Sequence, residues 1–333
     1  MKTALLILAL PAVLAVTMGV SFYAKNRNNG TIVSSGEERE YLLHVPRNLD
    51  RTKPAALVIS LHGASGWPAL QRDLSRWNEL ADREGFIVVY PAGRDTAGPR
   101  VWNMTGERDP RYIADLIDKL RGEYNIDPRR IYANGLSNGG GMSFVLSCRM
   151  PDRFAAIGMV GAALLLPSTW CRSARPVPMI AIHGLRDPAA PYRGGSSWIA
   201  PDFAPFLPFG AAWARRNRCA PNAQDVEIRD GVTRREYKQC ANDATVVLYT
   251  LRDGGHTWPG GAELPEWFLG KTIKDFDATA EMWRFFKQHP QRSALIIEQV
   301  WMPHRLAAEG DAERPERERD DGRDVDHGQS GNP

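Results

Sequence analysis

Concentrated charge is what this chain most plainly lacks. Its 42 Lys and Arg against 39 Asp and Glu leave a formal charge of +3 over 333 residues, and the basic residues form no stripe, so composition gives no footing to a nucleic-acid partner. Cysteines at metal-binding spacing are missing too. Cys148, Cys171, Cys219 and Cys240 are an even set without a C-x-x-C pair, which argues against zinc and for disulfides in an oxidising compartment. Three pairings are open in principle; sequence neighbours give Cys148 with Cys171 and Cys219 with Cys240, two short loops. There is no internal repeat, and no break in composition divides the chain. With 43% hydrophobic residues it can bury a large core, and residues 30–300 read as one domain. No metal or organic cofactor is implied.

The two ends differ from that domain. Lys2 precedes an apolar run, ALLILALPAVLAVTMGVSFYA, from Ala4 to Ala24. A positive start followed by an apolar stretch is the layout of a secretory signal, and the run is also long enough to stay as an uncleaved membrane anchor. Residues 1–24 are therefore expected to direct export in either form. From 303 to 333 the chain is charged and has no Phe, Tyr or Trp; such a segment cannot bury enough apolar surface to offset ordering, so a disordered tail is expected.

Between the ends, apolar runs alternate with helical patterns. Thr31–Val45 reads as edge strands. Pro54–His62, Phe86–Tyr90, Ile131–Leu136, Ala155–Ala162, Val177–His183 and Thr245–Leu251 read as buried strands. Helices are expected over Leu70–Glu84, Tyr112–Tyr124, the stretch after Ser137, Ala211–Arg216 and Ile273–Gln288, with a hairpin over Val226–Tyr237. Alternating strands and helices mean an α/β fold, a mostly parallel sheet with helices on both faces.

One stretch organises the chemistry. IYANGLSNGGGM, from Ile131 to Met142, runs from a strand into Gly135-Leu136-Ser137-Asn138-Gly139, the G-x-S-x-G pattern of a nucleophile elbow. The reversal is so tight that the serine takes a strained backbone conformation, and glycine is wanted two residues to either side. Ser137 would stand above a helix N-terminus that favours developing negative charge. A serine hydroxyl is a poor nucleophile alone; it needs a base, and the base an orienting carboxylate, which α/β-hydrolases supply in the order Ser, acid, His. Of the downstream histidines, His304 and His327 lie in or beside the tail, His289 closes a helix beside Pro290, and His183 ends a buried strand, where a packed, hydrogen-bonded residue is expected. His256 lies in the glycine-rich loop RDGGHTWPGG after the last strand and is the expected base. Asp187, just past the strand ending at His183, is the expected acid, ahead of Asp202, Asp230 and Asp253. The oxyanion hole is expected from the backbone N–H groups of Asn138 and of Ala64, in the loop after His62-Gly63. Ser65 in that loop lacks an elbow and reads as a loop residue.

LHGASG, GLSNGG, HGLRDPAAPY and GGHTWPGG, in that order, resemble the polyhydroxybutyrate depolymerase and feruloyl esterase group of secreted α/β-hydrolases. The resemblance runs from about Glu40 to Phe286. It implies that Ser137, Asp187 and His256 form a triad, that Ala64 helps form the oxyanion hole, and that Trp258 shapes the pocket with Trp102 and Asn103 near the acyl site. It also supports the Cys148–Cys171 and Cys219–Cys240 pairings. The chain departs from the group's pattern in two places, having Asp109-Pro110 where paired aspartates are usual and Ala64 where cysteine is common. No polymer-binding domain follows, which favours small or soluble esters. The expected activity is that of a serine carboxylic-ester hydrolase working through an acyl-enzyme. The alternatives are a prolyl-oligopeptidase-like serine peptidase and a non-catalytic surface protein on a hydrolase scaffold.

Overall fold

The computed structural model describes residues 26–94, 100–172 and 175–291. The expected export segment at residues 1–24 and the expected tail at 303–333 lie outside the described residues. Everything described belongs to one compact unit.

That unit is built on a 10-stranded sheet of order β1-β2-β4-β3-β5-β6-β7-β10-β9-β8. The strands are β1 Gly30–Ser34, β2 Glu37–His44, β3 Ala55–Leu61, β4 Ile87–Pro91, β5 Ile126–Leu136, β6 Ala156–Val160, β7 Met179–Gly184, β8 Gln224–Arg229, β9 Val232–Tyr237 and β10 Val246–Leu251. From β4 to β10 neighbouring strands are parallel, and an antiparallel pair closes each edge. The inner strands are apolar throughout because helices cover both faces. Along β3 the faces alternate: Leu57, Ile59 and Leu61 enter one core, Ala56 and Val58 the other.

The first core is covered by α3 (Arg108–Glu123), α4 (Asn138–Arg149) and α5 (Phe206–Arg216). The second lies under α1 (Pro68–Ser75), α2 (Trp77–Glu84) and α7 (Ala278–Gln288). A single turn, α6 (Glu266–Leu269), follows the His256 loop.

Four helix expectations need correction, the first being that the helix expected from Tyr112 starts one turn earlier, at Arg108. Leu70–Glu84 is two helices, because Arg76 turns left-handed with φ 56° and resets the axis. The last helix begins at Ala278, not Ile273, because the Asp277 carboxylate caps it by accepting the Ala280 N–H at 2.9 Å. The helix placed at Ala211 starts at Phe206; Pro208 fits in its first turn, where a missing N–H costs nothing. The hairpin is present as β8 and β9.

Both neighbouring cysteine pairs are bonded. Cys148–Cys171 ties the end of α4 to the chain after β6, and Cys219–Cys240 ties the chain after α5 to the chain after β9. Each staples a helix end to a loop beyond the parallel strands, where backbone ladders no longer hold the chain.

Candidate active site

β5 ends at Leu136 and α4 begins at Asn138, so Ser137 alone makes the turn. Its φ of 55° and ψ of −119° lie where L-residues are strained. The strain is held by three backbone hydrogen bonds: the Ser137 N–H donates to Val160 O at 2.9 Å, and its carbonyl accepts from Gly141 at 3.0 Å and Ala163 at 2.9 Å. Glycine is required beside it. A Cβ on Gly139 would lie 2.3 Å from Leu61 O, and one on Gly135 would lie 2.4 Å from the Gly139 carbonyl carbon.

The loop expected to supply an oxyanion N–H follows β3. A Cβ on Gly63 would sit 3.4 Å from the Ser137 Cβ, so this loop lies against the serine. Neither Ala64 nor Asn138 donates its N–H to a backbone carbonyl among the described residues. His62 holds the loop in shape. Its Nδ1–H donates to Gly63 O at 2.7 Å and its Nε2 accepts the Gly93 N–H at 2.9 Å. Burial lowers its pKa to about 4, against an opposing hydrogen bond to Gly63, so the neutral ring that this pattern needs is the one present. Ser65 stays a loop residue, its N–H bonded to Arg100 O.

A second loop closes over the first. The Asn138 side chain accepts the Trp102 N–H at 2.7 Å and donates to Trp102 O at 3.2 Å. The Trp102 indole N–H donates to His62 O at 3.0 Å. The loop's far end is anchored by buried Asp109, which accepts the Asn103 N–H at 2.8 Å and pairs with Arg39 at 2.9 Å. A single aspartate thus fixes this loop, whose geometry Asp109-Pro110 left open in the sequence.

Asp187 and His256 come from the loops after β7 and β10, parallel neighbours in the sheet. His256 Nδ1 stands 2.8 Å from Asp187 Oδ2, and Asp187 Oδ1 accepts the Ala189 and Ala190 N–H groups at 2.9 and 2.7 Å. Burial by itself would raise the Asp187 pKa, but the neighbouring charge of His256 and the hydrogen bonds from His183 and His256 outweigh it and hold the carboxyl well below its usual range. Of the rival aspartates, Asp202 and Asp230 are exposed and Asp253 is half-buried; Asp230 pairs with Arg252, and Asp253 with Arg186.

Gly161 joins the two halves. Its flanking residues carry the partners of Ser137, while its own Cα faces the pair: with φ at 47°, a Cβ there would lie 3.2 Å from His256 Nδ1 and 3.3 Å from Asp187 Oδ2. Ser137 and the His256–Asp187 pair are therefore both set against the one stretch from Val160 to Ala163. Ser137 Oγ makes no hydrogen bond to His256 in this state; such contacts commonly tighten only with substrate bound.

The expected pocket residues differ in exposure. Trp258 is wholly buried within the second core, with its indole N–H on Thr279 Oγ1 at 2.9 Å. The large ring gains more by packing under the loop than by lining a wet cleft, and it presents no surface to a substrate. Trp102 is 2% exposed, with its ring centroid 5.2 Å from that of His62, so it packs on the loop after β3. Asn103 is exposed; its Oδ1 accepts from Thr105 and Gly106 and shapes the turn. Sequence reasoning missed Gly161, the Asn138 side chain and the His62 brace. Only the glycine in Val160-Gly161-Ala162, just past a strand end, left a local signal.

The sheet order and the elbow at the end of a central parallel strand are those of an α/β-hydrolase. Residues 39–180 match the family described as Esterase PHB depolymerase. NocK of Nocardia uniformis subsp. tsuyamanensis, named as an esterase, is 31% identical over 256 residues, 69% of this chain and 73% of that protein. The chain belongs to the polyhydroxybutyrate depolymerase and feruloyl esterase group of carboxylic ester hydrolases. Feruloyl esterase C of Emericella nidulans is 27% identical over 74% of this chain and 83% of its own. The bifunctional acetylxylan esterase/xylanase XynS20E of Neocallimastix patriciarum is 33% identical over 47% of this chain, which spans only 23% of that longer protein. Among solved structures, the acetyl xylan esterase from Aspergillus awamori superposes with a TM-score of 0.53 over 75% of this chain and 94% of its own, at 16% identity, a likeness of fold.

Proposed function

We propose that the protein is a serine ester hydrolase in which Ser137, Asp187 and His256 act as nucleophile, orienting acid and base. The observation that carries this reading is the convergence on the stretch Val160–Ala163: a strained serine bonded to Val160 and Ala163 and, against Gly161 between them, an imidazole 2.8 Å from a buried carboxylate. In the reaction, His256 Nε2 takes the Ser137 proton as Oγ attacks the ester carbonyl carbon. The carbonyl oxygen gains the electron pair and is met by the Ala64 and Asn138 N–H groups. Collapse expels the alcohol, which takes the proton from His256, and an acyl-Ser137 ester remains. Water then gives a proton to His256 as it attacks that ester, and collapse returns this proton to Ser137 Oγ as the acid leaves.

The substrates proposed are small or oligomeric carboxylic esters. The relatives' names supply the panel: acetylated xylan, methyl ferulate and hydroxybutyrate oligomers, with exposed Asn103 on the rim they would approach. Export to an oxidising compartment is proposed from the apolar stretch at residues 4–24 and is supported by the two disulfides. No helix among the described residues is long and apolar enough to cross a membrane.

Ser137→Ala tests the assignment. Hydrolysis of p-nitrophenyl acetate is expected to fall on the order of 10⁴-fold or more, with loss of labelling by a fluorophosphonate probe. Retained hydrolysis in purified variant protein would overturn it.

A further inference from the structure

His183 does more than pack. It lies on β7, is 3% exposed, and directs Nε2 at two acceptors, Ala190 O at 2.8 Å and Asp187 Oδ2 at 3.3 Å. An imidazole nitrogen facing two oxygens must carry the proton. Its other nitrogen, Nδ1, is buried and has no partner; a bare lone pair there costs less than an unanswered N–H, so the ring is the neutral Nε2–H form. Tyr192 and Phe206 pack around it, with ring centroids at 5.8 and 5.0 Å, and leave it one orientation.

Ala190 closes the circuit. Its N–H donates to Asp187 Oδ1 while its carbonyl accepts from His183. The carboxylate is therefore gripped on both oxygens: Oδ1 by two backbone N–H groups, Oδ2 by His183 on one side and His256 on the other. With only the backbone contacts at Oδ1, the carboxylate could pivot and carry Oδ2 away from His256.

We infer that His183 is a positioning residue for the acid–base pair: it holds Asp187 Oδ2, and the turn to Ala190, where His256 Nδ1–H can reach it. This rests on the reading of Ser137, Asp187 and His256 as the triad. It follows that the Nε2–H donor, not the volume of the ring, is what the reaction needs from position 183.

Two variants separate those roles. His183→Gln keeps an N–H donor at the reach of Nε2; His183→Met keeps volume and loses the donor. With p-nitrophenyl acetate, kcat of the Met variant is expected to fall about 10- to 100-fold at unchanged KM, the usual scale for a misplaced catalytic group, while the Gln variant stays within about threefold of wild type on the same argument. Equal kcat in the two variants, whether high or low, overturns the inference. A measurement on the wild-type protein stands even if the Met variant does not fold. Long-range ¹H–¹⁵N correlation spectra of the histidine side chains at neutral pH are expected to show His183 protonated at Nε2 alone, and a proton on Nδ1 overturns the inference. That spectrum does not depend on turnover, so a failed Ser137→Ala test and a failed His183 assignment are distinguishable.

Discussion

The nucleophile half and the acid–base half of this site are built by different means. Ser137, its helix and its glycines lie within a few residues of one another, and the conformation follows from a turn too tight for a Cβ on Gly135 or Gly139. Asp187 and His256 are 69 residues apart and meet only because β7 and β10 pair in parallel. The first half is a local backbone solution. The second is a tertiary contact whose parts, His183, Ala190 and Gly161 among them, have no common sequence signature. Damage to the glycines of the first half should therefore register as lost fold, and damage to the second half mainly as lost turnover.

Asp187→Asn probes the second half and has the largest expected effect. The amide cannot accept the His256 Nδ1–H as a charged partner, so kcat should drop on the order of 10⁴-fold in a protein that still folds, its stability lowered only by the share the carboxylate contributes. A variant that no longer folds would erase the distinction. Gly139→Ala probes the first half. The new methyl meets backbone, Leu61 O at 2.3 Å, which cannot step aside. A loss of at least about 3 kcal/mol is expected, read as a lowered denaturant midpoint or as insoluble protein.

Acid sharpens the contrast. His62 ionises near 4 in the folded protein, below its ordinary 6.5. Its neutral form is favoured by folding, so its contribution is complete above pH 6.5, declines as pH falls from there toward 4, and is exhausted below. The span corresponds to about 3 kcal/mol. Asp187 is depressed below its ordinary value, so its share is lost only at pH below about 4. Urea unfolding between pH 7 and 4 should thus weaken wild type, and His62→Gln should flatten the slope. The smallest effect is expected from Asn138→Ala, which keeps the oxyanion N–H but frees Trp102. A decrease in kcat of about tenfold, from one or two lost hydrogen bonds, is the result to look for, with a change in KM if the freed loop enters the cleft.

How far the sequence carried the argument follows the same division. The strands at Ala55–Leu61, Ile87–Pro91 and Val246–Leu251 were legible because residues buried on both faces form unbroken apolar runs. The order Ser, Asp, His could be searched because each lies in a loop marked by glycine or proline after a strand. Trp258 misled, since a tryptophan beside a candidate base looks the same in sequence whether it faces the cleft or the core; α7 and Thr279 decide that. The break at Arg76 was invisible for a similar reason: the apolar spacing continues through it, and only packing of two short helices against one face requires the left-handed turn.

By itself the sequence determined the α/β alternation, the elbow and the residues able to serve as nucleophile, acid and base, because periodicity and tight turns are local constraints. Only the tertiary structure decided that Asp187 and His256 meet, that Gly161 leaves room for them beside Ser137, that Trp102 and Trp258 turn inward, and that His183 grips the acid. Those outcomes depend on which strands pair and which side chains then compete for the same buried space.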